Sequence, residues 1–216
     1  GLMAALYERQ HSGRGQVVDA AMVDGAGSLA GIFYGLHASG TWDQPRGDNL
    51  LDGGAPFYDT YETADGRWVS LGPLEPKFFA EFARLAGLDA RFVQRQYDRR
   101  EWPAMREAIT ALFKARTRDD WCALLEGSDA CFAPVLDFAE APQHRHSEAR
   151  GGFVSVDGVP QPAPAPRFDR SVPEPPRPAP RPGEHTRAVL AEAGFDAAAI
   201  DTLLAGGAAL QAGEGA

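Results

Sequence analysis

One carboxylate, Glu75, stands between Pro73 and Pro76 in the run GPLEPKFF. Proline has no N–H to give to a ladder, so a strand entering this run must leave its sheet at Pro73. Pro76 suits the first turn of a following helix, where its missing N–H would be unpaired anyway. Glu75 therefore falls at a strand-to-helix corner, beside the positive end of a helix dipole. The corner alone favours a helix-start acid that serves the dipole, with a role in a site as the alternative. Other chemistry-bearing residues make weaker patterns. His144 and His146 diverge on a helix, and no Cys, Asp or Glu completes a metal-ligand spacing with them, so both are expected to be solvated. His11 reads as a turn residue and His37 as a helix-end residue in a dipole contact. No His lies in a pattern that would activate Cys131 as a nucleophile. Neither a G-x-G-x-x-G after a strand nor a Walker-type loop occurs, which leaves phosphate binding unsupported.

The elements that must position Glu75 are a hairpin and a helix. Tyr58 to Thr63 and Arg67 to Leu71 are aromatic and β-branched runs separated by Ala64-Asp65-Gly66, a turn signal of the Asp-Gly type. Phe78 to Ala86 follows as a helix. Glu101 to Ala115 carries Trp102, Met105, Ile109, Leu112 and Phe113 at the 3.6 spacing of one buried face. Thr117 to Leu125 opens with Thr117 and Asp120, a capping box with Asp in place of Glu. Cys131 to Leu136 reads as a strand.

On either side the signals are sparser. Leu2 to Gln10 is a helix closed by Ser12-Gly13, Gln16 to Asp19 a short strand, and Met22 to Ala38 a helix with Gly27, Gly31 and Gly35. Each such glycine costs a helix about 1 kcal/mol relative to Ala, so a bent or broken helix is expected. Thr41 to Ala55 reads as loop. Ten of the 23 residues from Pro160 to Pro182 are proline, which predicts an extended strap of polyproline character. His185 to Ala193 and Asp196 to Leu204 read as amphipathic helices parted by Gly194, and Gly207 to Ala216 as a frayed end.

Composition narrows the function classes. The net charge of -9 over 216 residues argues against nucleic acid as a partner, because neutralising phosphates needs clustered Lys and Arg. The longest apolar stretch, Gly25 to Ala38, is broken by glycines and is too short for a bilayer, so no membrane partner is expected. Only Cys122 and Cys131 occur, which fits a reducing cytosol and a cytoplasmic protein.

The block DGGAPFYDTYETADG followed by EP resembles the α-methylacyl-CoA racemase branch of the family III CoA-transferase (CaiB/BaiF-type) superfamily. LMAALYERQHSGRGQVVDAAMVDGAGSL upstream, and SDACFAPVLDFAEAPQH, PAPRFDR and PGEHTRAVLAEAGF downstream, are similar to other blocks of that superfamily in the same order. The resemblance implies proton transfer at the α-carbon of a 2-methylacyl-CoA thioester, with no metal or redox cofactor, since CoA is part of the substrate. It gives Glu75 the role of a support for a catalytic His, and places Tyr58 and Cys131 in the wall of the acyl and thioester pocket. In the family the catalytic His and Asp, with a Rossmann-like CoA-binding core, belong to an N-terminal half that these residues do not match. With Leu2 already in helical spacing, the expectation is a C-terminal fragment, inactive alone, of a protein that forms interlocked homodimers. The expected fold class is mixed α+β and α/β. Residues 1–20 would end the large domain, 21–56 form a linker helix and loop, and 57–146 a small α+β domain. A proline-rich return linker, 147–182, and C-terminal helices, 183–216, would complete it. A family III acyl-CoA transferase, and a non-catalytic remnant or association module, are the alternatives.

Overall fold

The computed structural model describes residues 1–42 and 45–213. The chain divides into two units, one from Gly1 to Val135 and the other from Leu136 onward. In the first, α1 (Leu2–Ser12) stops at Gly13, which takes the left-handed conformation that suits a residue without Cβ. The expected strand at Gln16 to Asp19 does not form: these residues are exposed coil, and among the described residues no strand runs beside Val17 and Val18 to pair with them. The glycine-spaced helix is broken at Ala30 into α2 (Met22–Leu29) and α3 (Gly31–Ala38). Among the described residues, no residue of α1, α2 or α3 is buried.

The core belongs to the segment after Asn49. β1 (Asp59–Glu62) and β2 (Trp68–Leu71) form the hairpin, pairing Asp59 with Leu71 and Glu62 with Trp68. Next come α4 (Pro76–Ala86), α5 (Arg91–Gln94), α6 (Trp102–Phe113) and α7 (Arg118–Leu125). β3 (Phe132–Pro134) then adds antiparallel to β2, giving the order β1-β2-β3. Strand residues alternate. Tyr61, Val69 and Leu71 point into the core, while Thr60 and Trp68 face out. α6 buries Trp102, Met105, Ile109 and Phe113, four of the five positions its periodicity marks, and Leu112 packs at the core's edge. Phe113 is the hub of an aromatic cluster, with ring centroids 5.4 Å from Tyr61, 5.8 Å from Phe82 and 5.1 Å from Trp121. Such pairs add about 0.5–1.5 kcal/mol each beyond the area they bury.

The hairpin turn also serves α7. Thr117 and Asp120 make the full capping box, and the Asp65 carboxylate accepts from the Arg118 N–H at 3.2 Å. The free donors at the start of α7 are thereby met from its own box and from a turn far away in sequence.

The second unit holds α8 (Glu140–Gln143), α9 (Arg145–Ala149), β4 (Phe153–Val156), β5 (Val159–Pro162), α10 (Thr186–Glu192) and α11 (Ala197–Ala205). His144 is not a solvated side chain. It is half-buried and caps α9, accepting from the His146 N–H at 3.3 Å. The strap also begins differently from its polyproline expectation, because Val159 to Pro162 pairs antiparallel with Phe153 to Val156. A two-stranded ribbon has only edges, where proline is tolerated. At the far end, Gly207 to Gly213 is tied down, with Thr186 donating to the Leu210 carbonyl at 2.7 Å and Ala212 N–H to Gly183 at 3.0 Å. The remaining residues of the expected frayed end, 214–216, lie outside the described ones.

Candidate active site

At the end of the three-stranded sheet away from Glu62 and Trp68, the outward face carries small and hydroxyl side chains, with Thr60 beside Ser70 and Ser70 beside Ala133. Tyr58, Gly72 and Cys131 bound this row where the strands end. Together these six residues line an open cleft of about 400 Å³. The structure thus brings Tyr58 and Cys131, two of the three candidate site residues, into one wall. A Cβ on Gly72 would lie 3.7 Å from the Tyr58 ring, so the two are in close contact.

Glu75 is the N-cap of α4, extended at φ -71° and ψ 136°, with Pro76 in the first turn. Its carbonyl accepts from the N–H groups of Phe78 at 3.0 Å and Phe79 at 3.1 Å. Its side chain is exposed, and among the described residues it takes no hydrogen bond or ion pair. Its charge is nonetheless felt nearby. Partial desolvation first, and then the negative charges of Glu75 and Asp129, hold the Cys131 thiol above its ordinary pKa. The Tyr97 phenol is raised for the same kind of reason, desolvation first and Glu75 second. A raised thiol is a weak nucleophile at neutral pH, which agrees with Cys131 as wall.

Three groups that sequence reasoning missed build this corner. Gln96, 2 % exposed, donates from Nε2 to the carbonyls of Pro73 at 2.9 Å and Leu74 at 3.0 Å. The Tyr97 hydroxyl donates to the same Leu74 carbonyl. Arg106 of α6 reaches the Asp59 carboxylate, and its Nη2 donates to the Gly53 carbonyl at 2.6 Å, pinning the chain on both sides of Tyr58. Gln96 and Tyr97 sit in a polar run, QRQYDRR, with no period to flag them. Arg106 falls on the apolar stripe of its helix, four residues after Trp102 and three before Ile109, and a charged residue at such a position is the signal that could have found it.

Residues 1–186 match the sequence pattern of CoA-transferase family III. The chain belongs to that family. This family III chain is 44% identical over 199 residues to the α-methylacyl-CoA racemase of Mus musculus, covering 90% of itself and 52% of that relative. Against the α-methylacyl-CoA racemase of Homo sapiens it is 39% identical over 198 residues, with the same shares covered. It therefore spans about half the length of the curated relatives it matches. Among solved structures it is similar to a CaiB/BaiF family protein from Brucella suis, with a TM-score of 0.63 and 26% identity. That match covers 88% of this chain and 51% of the other. The mixed helix-and-strand architecture with small sheets is thus a family architecture. Among the described residues, no helix is long and apolar enough to cross a membrane.

Proposed function

We propose that this chain contributes the Glu75 portion of the site of a 2-methylacyl-CoA racemase. The observation that carries the reading is Glu75 itself: an exposed carboxylate without a side-chain partner among the described residues, on a braced corner. The 44% identity to a racemase supports the choice of branch. Racemisation removes a proton from the carbon next to the thioester carbonyl and returns one on the other face. That requires an acid–base group on each side and donors for the enolate oxygen. Glu75 accepts a hydrogen bond from a catalytic His, fixing its tautomer and favouring its protonated form. That His and its Asp partner come from the part of the racemase length that the match leaves out. Tyr58 and Cys131 flank the acyl chain in the cleft, and the substrate brings its own CoA.

Uptake of α-deuterium from deuterated buffer into a 2-methylacyl-CoA tests this. The chain alone should give none above a Glu75→Gln control. Joined to the portion of the mouse racemase outside the match, it should exchange, and Glu75→Gln should slow the exchange. Exchange indifferent to Glu75→Gln would remove Glu75 from the site. Transfer of CoA from the thioester to a second carboxylic acid, releasing the first acid and with no deuterium uptake, would instead favour a family III transferase.

A further inference from the structure

We infer that Gln96 is the positioning residue that fixes Glu75 at the corner where the chain leaves β2, near Cys131 of the cleft wall. This rests on the reading of Glu75 given above and extends it to a residue with no contact to the reacting atoms. The Leu74 carbonyl and the Glu75 N–H belong to one planar peptide unit, so whatever orients that carbonyl also orients the bond leading to the Glu75 Cα. Two donors meet on it, Gln96 Nε2 at 3.0 Å and the Tyr97 hydroxyl, while Nε2 also binds the preceding carbonyl, Pro73, at 2.9 Å. Pro73 has no N–H with which to brace itself against the sheet. The brace is anchored in turn, because buried Trp102 of α6 donates from Nε1 to the Gln96 carbonyl at 2.9 Å.

A second observation separates this role from ordinary packing. Gln96 Oε1 is buried and, among the described residues, has no hydrogen-bond partner. Burying an acceptor without a donor is unfavourable, and a Met or Leu of similar size would fill the space without that penalty. What Gln96 provides that those residues cannot is the pair of bonds to Pro73 and Leu74.

The test uses the 216-residue chain itself and reads the charge beside Cys131. Alkylation of Cys131 by iodoacetamide is followed against pH by mass spectrometry that resolves it from Cys122. Desolvation is the first cause of this thiol's raised ionisation, and the charges of Glu75 and Asp129 add to it. Glu75→Gln should move its ionisation to lower pH, and Gln96→Met should move it the same way, each speeding alkylation at pH 8 on the order of threefold. Gln96→Met added to Glu75→Gln should give no further change, and amide exchange in α7 should stay as in the parent chain. Tyr97→Phe, at a half-exposed position, removes only the donor to Leu74 and should act in the same direction; it decides the matter if Gln96→Met does not fold. The inference is overturned if Cys131 is unmoved by Glu75→Gln, if it is unmoved by both brace variants, or if their effects add to that of Glu75→Gln. Deuterium exchange judges Glu75 as a site residue and thiol alkylation judges what holds it, so either result can fail without the other.

Discussion

The Gly72 N–H donates to the Cys131 carbonyl at 2.9 Å, extending the β2–β3 ladder by one step beyond the Leu71–Phe132 pair. Beyond that bond the two chains diverge. The chain leaving β2 passes through Pro73 to Glu75, while Cys131 enters β3 from a left-handed conformation at φ 49°. A non-glycine residue held there costs about 1–2 kcal/mol, which the ladder and the core behind it must offset. The result is that a thiol and a carboxylate more than fifty residues apart in the chain share one corner of the sheet.

Replacing Glu75 by Gln keeps the shape of that corner and removes its charge. In an exchange-competent protein, kcat should fall by roughly ten- to a thousandfold with little change in KM, as for other acid–base supports. Steady-state kinetics with a 2-methylacyl-CoA decides. A raised KM at unchanged kcat would make Glu75 a substrate-binding group, and no change in either would return it to a helix-start acid.

Much of this corner was legible in the sequence because each signal was local. Proline on both sides of Glu75 marks the exit from β2 and the start of α4, Asp65-Gly66 marks the hairpin, and Thr117 with Asp120 marks the start of α7. Gln96 was not legible, since its bonds span more than twenty residues and it sits in a polar run without a period. The β4–β5 ribbon was hidden by Pro160 and Pro162, although Asp157-Gly158 between its strands, at φ 52° and 77°, is the same turn signal that worked at Gly66. The racemase-like block DGGAPFYDTYE turned out to be partly scaffold. Asp52 gathers N–H groups of its own loop, Ala55 to Phe57 fill the core, and the Tyr61 hydroxyl donates to the Pro56 carbonyl.

Asp52 gives that scaffold a pH dependence. Desolvation pushes its carboxyl upward, but hydrogen bonds from the Asn49 side chain and the N–H groups of Asn49 and Gly47 outweigh it and hold the pKa below 3.8. A depressed folded-state pKa contributes stability that is complete above the unfolded value and lost as pH falls through the folded one. Asp52→Asn should therefore melt below the parent chain at pH 7, and the gap should close as pH drops below 3.8. Calorimetry across that range checks it. A gap that stays constant would show that the charge of Asp52 is irrelevant to the loop.

The first three helices should make the chain associate. Leu2, Leu6, Met22, Leu29 and Ile32 are all exposed, and α1, α2 and α3 bury none of their residues. Apolar surface on this scale marks a contact region or an aggregation hazard. Sedimentation should show concentration-dependent association with exposed-apolar dye binding, and removing residues 1–38 should reduce both. A monomer at high concentration with no dye signal would contradict this.

Gly54 and Gly53 permit a comparison of two ways in which a glycine is required. A Cβ on Gly54 would stand 2.5 Å from the Asn49 carbonyl oxygen and 2.6 Å from the Asn49 nitrogen, both backbone atoms that cannot turn aside. That backbone is itself tethered, with Asn49 N–H bound to Asp52 at 2.7 Å and Arg99 bound to the Asp48 carbonyl at 2.6 Å. Gly53 adopts φ 98°, and a Cβ there would meet nothing within 4 Å. Alanine at Gly53 therefore suffers backbone strain alone, about 1 kcal/mol. Alanine at Gly54 must displace a loop anchored at several points, at about 2–3 kcal/mol. In thermal melts Gly54→Ala should lower the midpoint by roughly 5–10 °C and Gly53→Ala by about half as much. Because Gly54 leads directly into Phe57 and Tyr58, the Gly54 variant should also loosen the cleft wall, visible as faster amide exchange in β1 than Gly53→Ala produces. Equal effects of the two variants would mean that the loop yields to the added methyl and that its close approach is not what keeps a glycine there.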